Sequence, residues 1–447
     1  MKYMVFWTML IAGVPAMAVA AASSSRVRGL LFAGLILSTA LGDLVGINFV
    51  SMEHYRGPDR GFEITLTDLI AVALVAALIV RCPARLDWLP LNSLWMVLFF
   101  AISCIACWSA PQKLLAAFTL FKLVKVYLLY WCVTNCLRSG IDRIYLWTGY
   151  VTMAAVVVLL ALKQKYVEGV YRISGPFDHS NTVPLYLNLV IPVLLAWVLT
   201  DRSLSRRQVL VSVSLVLGMM FAVTATFSRA GTLLAVLAPL AVLAVVRMRE
   251  KSVRITAVSV LAIVAVIGGG LKVSDSLIER VRNAPESSAD ARREFNVVAS
   301  QMAAEHLFGV GLNNFSYVFT NTPRYKDEVT VMTTEEQGGV AHHIYWLTAA
   351  ELGFPGLIVF LIIMARFLWL AVSRGLRRRS VESTLLLGIA IGFCTLHASG
   401  FLEWAFRITP VTYMFAITAG VCAALVRRVE LEPDRANLQR SLPRCPT

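Results

Sequence analysis

Along this chain apolar residues run in blocks of about 17–25, long enough to cross a ~30 Å hydrocarbon core as helices. Polar residues gather in the breaks between blocks. The pattern predicts spans near residues 3–22, 29–50, 66–80, 93–109, 114–137, 143–162, 183–200, 208–227, 230–247, 254–271, 343–372, 383–402 and 408–426. The third is short, and the first suits either a span or an interfacial helix, which leaves about 12–13 crossings. The short alternating segments of a membrane barrel do not occur. The predicted fold class is an all-α integral membrane protein, a polytopic bundle with one large loop.

That loop, residues 272–342, divides the chain. N-terminal membrane helices are expected over 1–271, C-terminal ones over 343–426, and a tail over 427–447. The loop's own pattern predicts one or two amphipathic helices near 288–306, followed by a turn at Gly309-Val310-Gly311-Leu312-Asn313-Asn314-Phe315. There is no internal repeat, no low-complexity stretch and no second soluble domain.

Composition agrees. The 447 residues are 58% hydrophobic and 15% charged, against roughly 25% charged in soluble domains, and the mean hydropathy is +0.70. The formal charge of +14 does not point to nucleic acid, because the basic residues lie in short clusters between apolar blocks. These clusters are Arg81 with Arg85, Arg138 with Arg143, Arg202 with Arg206 and Arg207, Arg247 through Arg254, Arg374 through Arg379, and Arg427 with Arg428. They occupy every second connection, which the positive-inside rule makes cytoplasmic. The opposite face receives 51–65, 163–182, the break at 228–229, the loop 272–342 and the turn at Glu403–Arg407. Of the eight cysteines, Cys104/Cys107 and Cys132/Cys136 sit inside apolar blocks with no companion ligands, as small core residues do. Only Lys2 precedes the apolar residues 3–22, so they read as a first helix rather than a cleaved signal.

Candidate chemistry collects on the face opposite the basic clusters. His342 and His343 close the polar loop, Glu351 follows inside the next apolar block, and Gly353 and Gly356 allow that helix to bend or to approach a neighbour. An imidazole at a membrane edge suits general-base work at neutral pH, and equally suits capping of the following helix. Glu351 reads either as a ligand-orienting acid or as half of a buried ion pair. Arg172, in Tyr171-Arg172-Ile173-Ser174-Gly175-Pro176-Phe177-Asp178-His179-Ser180-Asn181, and Arg229, in Ser228-Arg229-Ala230-Gly231, are suited to an anionic ligand such as a lipid diphosphate. Each also fits a snorkelling or helix-end role. His179 and Asn181 read most simply as turn and N-cap residues. Within the spans, Asp43, Lys122 and Lys125 carry charge; the lysines are expected to snorkel or to touch lipid phosphate. Glu403 and Arg407, four apart, are expected to pair with each other. No metal-binding spacing and no nucleotide-binding glycine loop is present, so neither a metal nor another cofactor is expected.

Three stretches together resemble the O-antigen ligase superfamily, which includes O-antigen polymerases and bacterial protein O-oligosaccharyltransferases. They are residues 172–192, Ser228-Arg229-Ala230-Gly231, and His342 through Gly356 with Gly309-Val310-Gly311 upstream. The resemblance covers about 165–372. It implies a bacterial inner-membrane enzyme that takes a glycan from undecaprenyl diphosphate on the periplasmic face, with inversion and without metal or nucleotide. It further implies His342 as the general base, Arg229 as a catalytic diphosphate contact, and Arg172 as a second such contact. Asn181, His343 and Glu351 are expected around the substrate. The family's amide or hydroxyl after the histidine is here His343, which leaves two roles open: orienting the substrate or sharing the base.

The acceptor expected for a ligase is lipid A-core; a growing polysaccharide implies a polymerase, and a protein hydroxyl an oligosaccharyltransferase. A transporter of polysaccharide or lipid is the alternative of another class, and it calls for internal repeats and broken helices meeting at midplane. The expected partners are the lipid-linked glycan, the acceptor and membrane lipid, with no nucleic acid.

Overall fold

The computed structural model describes residues 2–41, 46–81, 83–250, 252–258, 260, 286–330 and 339–431. It is an all-α bundle. Among the described residues nine helices are long and apolar enough to cross a membrane. They are α1 (Tyr3–Ser23), α5 (Lys113–Arg138), α6 (Arg143–Tyr166), α7 (Thr182–Thr200), α8 (Arg206–Ala225), α9 (Arg229–Arg249), α13 (Ile344–Arg377), α14 (Val381–Gly400) and α15, whose apolar span is Thr409–Glu430. Shorter helices α2 (Ser25–Ser38), α3 (Leu66–Arg81) and α4 (Ser93–Ser109) pack among them.

One predicted span is corrected. The block 29–50 is not a single crossing: α2 ends at Ser38, and residues 47–49 form strand β1 (Ile47–Phe49). β1 pairs antiparallel with β2 (Phe62–Ile64), in the register Ile47↔Ile64 and Phe49↔Phe62. Hydroxyls mark the helix end. Ser38 bonds the Leu35 carbonyl and Thr67, and Thr39 bonds the Ile36 carbonyl and Tyr186, so the last turn is tied sideways instead of continuing. Asp43 and most of the span expected at 254–271 lie outside the described residues.

The centre of the bundle is α7, in which every residue is buried. Two glycines of α14 let it approach: a Cβ at Gly388 would meet the Pro192 carbonyl oxygen at 2.8 Å, and one at Gly392 that of Leu189 at 2.7 Å. Thr395 of α14 also donates to the Asn188 carbonyl. This small-residue contact is how apolar helices gain close packing where lipid offers no hydrophobic driving force.

The polar loop folds against the bundle through α10 (Glu286–Glu305). Its buried residues Ala291, Phe295, Val298, Ala299, Met302 and Ala303 recur at helical spacing, as the sequence pattern predicts. After it come the turn at 309–314, α11 (Phe315–Asn321) and α12 (Pro323–Lys326). Gly309, Gly311 and Asn313 all take positive φ in that turn.

The Gly-x-x-Gly segment bends α13. Pro355 has no N–H for the Glu351 carbonyl, and Gly353 leaves helical geometry at φ 69°, ψ −179°. The two freed carbonyls find partners in the turn: Val310 donates to Ala350 at 2.8 Å and Gly311 to Glu351 at 3.0 Å. The crossing is too close for side chains, since a Cβ at Gly353 would lie 2.1 Å from the Leu307 oxygen.

Candidate active site

Five separate segments meet at a cavity of about 780 Å³. Its lining includes Arg56, Asp59 and Arg60 from the β1–β2 connection, and Arg172, His179 and Asn181 from the segment before α7. Arg292 comes from α10, His342 from the end of the loop, and Glu403 and Arg407 from the α14–α15 connection. All of them belong to connections that the alternation of basic clusters assigns to one face.

Glu403 is the hub. One carboxylate oxygen accepts from His342 Nδ1 at 3.3 Å, and the other from Asn181 Nδ2 at 2.6 Å and Arg292 at 3.3 Å. The Asn181 oxygen in turn accepts from Arg172, whose Nε donates to the Thr226 carbonyl at 3.0 Å. Burial raises the Glu403 titration, but the hydrogen bond and charge of His342, the Arg292 guanidinium and the Asn181 amide outweigh it and hold the carboxyl below its ordinary range. The Glu403 carboxylate faces Nδ1, an arrangement that favours the ring proton on Nδ1 and leaves Nε2 turned away from this pair.

Two expectations about this network change. Glu403 and Arg407 do not pair with each other: residues 405–407 form a 3-10 turn rather than α-helix, and Glu403 is taken by His342, Asn181 and Arg292. Arg407 reaches Glu351 instead, and both are buried, at 8% and 0% side-chain exposure. Asn181 occupies the N-cap position of α7 but makes no side-chain cap there; its amide faces Arg172 and Glu403.

The adjacent histidines separate. His342 lines the cavity, whereas the Trp346 backbone N–H donates to His343 Nδ1 at 3.2 Å, making His343 the N-cap of α13. Its ring packs among Tyr345, Trp346 and Phe401. Glu351 stands behind the cavity wall, holding Arg407 and accepting from the Phe315 N–H at 3.4 Å. Arg229 is exposed as the first residue of α9 and is not among the cavity-lining residues. Its neighbour Ser228 caps that helix by accepting from Gly231 N–H, and Thr226, three residues earlier, anchors Arg172.

The lysines of α5 do not snorkel. Lys122 pairs with Asp59 and donates to the Arg407 carbonyl, while Lys125 pairs with Asp68 at 3.0 Å and donates to the Glu63 carbonyl. Both are buried, so each takes a carboxylate with it. A second, mainly apolar cavity of about 270 Å³ lies among α4, α5, α13 and α15, walled by residues such as Met96, Phe99, Phe360, Met364 and Phe415. Lys122, Thr119 and Arg407 form its polar end, and Arg407 lines both cavities. Among the described residues no cluster of three or more His, Cys, Asp or Glu side chains is placed to hold a metal ion.

Sequence reasoning missed Arg56, Arg60, Arg292 and the hub role of Glu403. The positions of Arg56 and Glu403 on connections opposite the basic clusters were a usable signal, but only folding brings residues this far apart in sequence together.

Residues 212–361 match a protein-family model described as O-antigen ligase, Wzy_C. The matched stretch contains Ser228, Arg229, His342, His343, Glu351, Gly353 and Gly356, and it bears out the resemblance drawn from the sequence motifs. No curated protein matches the chain.

Proposed function

We propose that this chain, a member of the O-antigen ligase superfamily by its residues 212–361, transfers a glycan from a lipid diphosphate to an acceptor sugar hydroxyl in the cavity around His342. The observation that carries the reading is the His342–Glu403 pair in the wall of a chamber rich in arginine. The acceptor hydroxyl gives its proton to His342 Nε2 as its oxygen attacks the anomeric carbon. The bond from that carbon to the diphosphate oxygen breaks, and the diphosphate leaves with the electron pair. Glu403 stabilises the imidazolium that forms. A single displacement inverts the anomeric centre, and fixed guanidinium groups take the place of a metal in neutralising the leaving group.

Arg172 supplies the first contact with the diphosphate. Arg292, whose Nε is buried without a protein partner, lies on the same chamber. Arg229 meets the donor outside the chamber, beside the segment that anchors Arg172. Asn181 orients Glu403 and Arg172, and His343 and Glu351 act through the backbone and through Arg407. The apolar cavity that meets the chamber at Arg407 supports a donor with a polyisoprenoid tail, undecaprenyl in the bacterial inner membrane, with the chamber facing the periplasm.

The favoured acceptor is lipid A-core, as for a ligase. The test is a deletion strain complemented with wild type, His342→Ala or Arg172→Ala at equal membrane abundance, with glycan followed on lipopolysaccharide and on the undecaprenyl carrier. Loss of transfer in the variants with long polymer left on the carrier is the expected result. Single repeat units on the acceptor would turn the assignment to a polymerase. Wild-type transfer by both variants would overturn the reading.

A further inference from the structure

The connection between β1 and β2 forms a wall of the chamber but lies far outside the segment with family resemblance. Four residues in it alternate in role. Tyr55 donates to the Asn313 carbonyl, and Asp59 is held by Lys122 and Thr119. The Asn313 side chain completes the clasp: its amide donates to the Asp59 carbonyl and to the Leu115 carbonyl, each at 2.8 Å, and its oxygen accepts from the Asp59 N–H at 3.4 Å. Asn313 is fully buried and takes positive φ in the 309–314 turn. Tyr55 and Asp59 therefore fasten the connection to both the turn and α5.

The residues that follow each anchor, Arg56 and Arg60, are exposed, line the chamber, and have no ion pair or side-chain hydrogen bond among the described residues. The other arginines of the chamber differ. Arg172 is bonded to Asn181 and Thr226, Arg292 to Glu403, and Arg407 to Glu351. The acids nearby are also engaged: Asp59 with Lys122, Glu403 with His342, and Glu63 as an acceptor from Thr409. Asp178 lines the same chamber from the segment before α7. Two uncommitted guanidinium groups on a clamped backbone are a preorganised receptor for an anion with several oxygens.

We propose that Arg56 and Arg60 bind a sugar-linked phosphate in this chamber, and that Tyr55, Asp59, Lys122 and Asn313 position them. The proposal rests on the transferase reading for its ligand, since that reading offers two sources of the same chemistry: the donor's diphosphate and a phosphate on the acceptor glycan. It also explains why two segments so distant in sequence as 55–60 and 309–314 are tied together, and why a lysine is buried in α5.

The test is direct binding to the purified full chain in nanodiscs, which needs no transfer. Farnesyl diphosphate serves as donor probe and glucosamine 6-phosphate as acceptor probe, each titrated against wild type, Arg56→Ala/Arg60→Ala and Arg56→Lys/Arg60→Lys. Loss of two charge-assisted contacts is expected to weaken the relevant probe about 10- to 100-fold, with partial recovery in the lysine variant. Weakening of farnesyl diphosphate alone assigns the pair to the donor; weakening of glucosamine 6-phosphate alone assigns it to the acceptor. Wild-type affinity for both probes in the alanine variant would overturn the proposal. Failure of transfer in vivo with intact, arginine-dependent probe binding would instead count against the proposed function.

Discussion

Arginines sit at both ends of this bundle, and the two sets have different surroundings. At the end carrying the basic clusters, Arg138 and Arg427 share Asp87, with Arg427 half-exposed, Arg143 pairs with Glu382 and Arg374 with Glu430. Others grip helix-end carbonyls, as Arg254 grips Asp201 and Arg249 grips Gly375. These charges are spent on separate pairs and on helix ends, in the clusters that the positive-inside pattern picks out. At the chamber end, Arg407 and Glu351 are buried together, and Arg172 and Arg292 converge through Asn181 and Glu403 on His342. At one end the same side chain makes separate pairs and helix-end contacts; at the other, exposed Arg172 and half-exposed Arg292 join one network at His342, with Arg407 buried behind it. The difference lies in what each guanidinium is held against.

That contrast can be broken at several strengths. The largest effect is expected from His342→Ala: removal of the proposed general base should lower the transfer rate about 10²- to 10⁴-fold with little change in thermal unfolding. Wild-type rates in reconstituted vesicles would remove the base from the account. Next, Glu351→Ala strands Arg407 in the interior and should destabilise the chain by about 3–5 kcal/mol. Replacing both partners with Met should restore much of that loss, as read by unfolding in detergent, because the cost is the unpaired charge rather than the missing bridge.

A pH experiment sharpens the comparison at Glu403. Its folded titration is held below the ordinary value by His342, Arg292 and Asn181 against the opposing effect of burial. The network's stabilisation is therefore fully present above the unfolded value near ~4.3 and is lost as pH falls through the lower folded value. The stability difference between wild type and Glu403→Gln should be flat above that point and should shrink in more acidic solution. A difference that grows on acidification would show that the carboxyl is not held ionised. The smallest effect belongs to the opposite end: Arg427→Ala should cost about 0–1 kcal/mol and leave transfer unchanged, since the partly exposed bridge to Asp87 is screened by water.

The sequence made the membrane class, most of the spans and the shared face of Arg172, Asn181 and His342 legible, because apolar length and loop charge report bilayer physics residue by residue. It also anticipated α10 and the bend at Gly353, where periodicity and glycine chemistry act locally. What it could not reveal depends on pairings across the fold. Spacing suggested Glu403 with Arg407, yet a 3-10 turn redirected both. Lys122 and Lys125 looked like snorkelling cations until the β-hairpin brought Asp59 and Glu63 over α5 and Asp68 at the start of α3 met Lys125. His342 and His343 are indistinguishable by type; the fold separates them, giving His342 to Glu403 and the chamber and His343 to the Trp346 N–H. The block 29–50 misled because an apolar strand continues the pattern of an apolar helix.

Under the proposed function His342 and Glu403 act as one unit, and a double-mutant cycle on the single-turnover transfer rate distinguishes this from independent action. Rates would be compared for wild type, His342→Ala, Glu403→Gln and the double variant in vesicles loaded with lipid-linked donor. Glu403→Gln is expected to slow the wild type but to add little once His342 is gone, because a carboxylate that works through the imidazole has nothing left to act on. Losses that multiply independently would contradict it, leaving His342 and Glu403 as neighbours with separate roles.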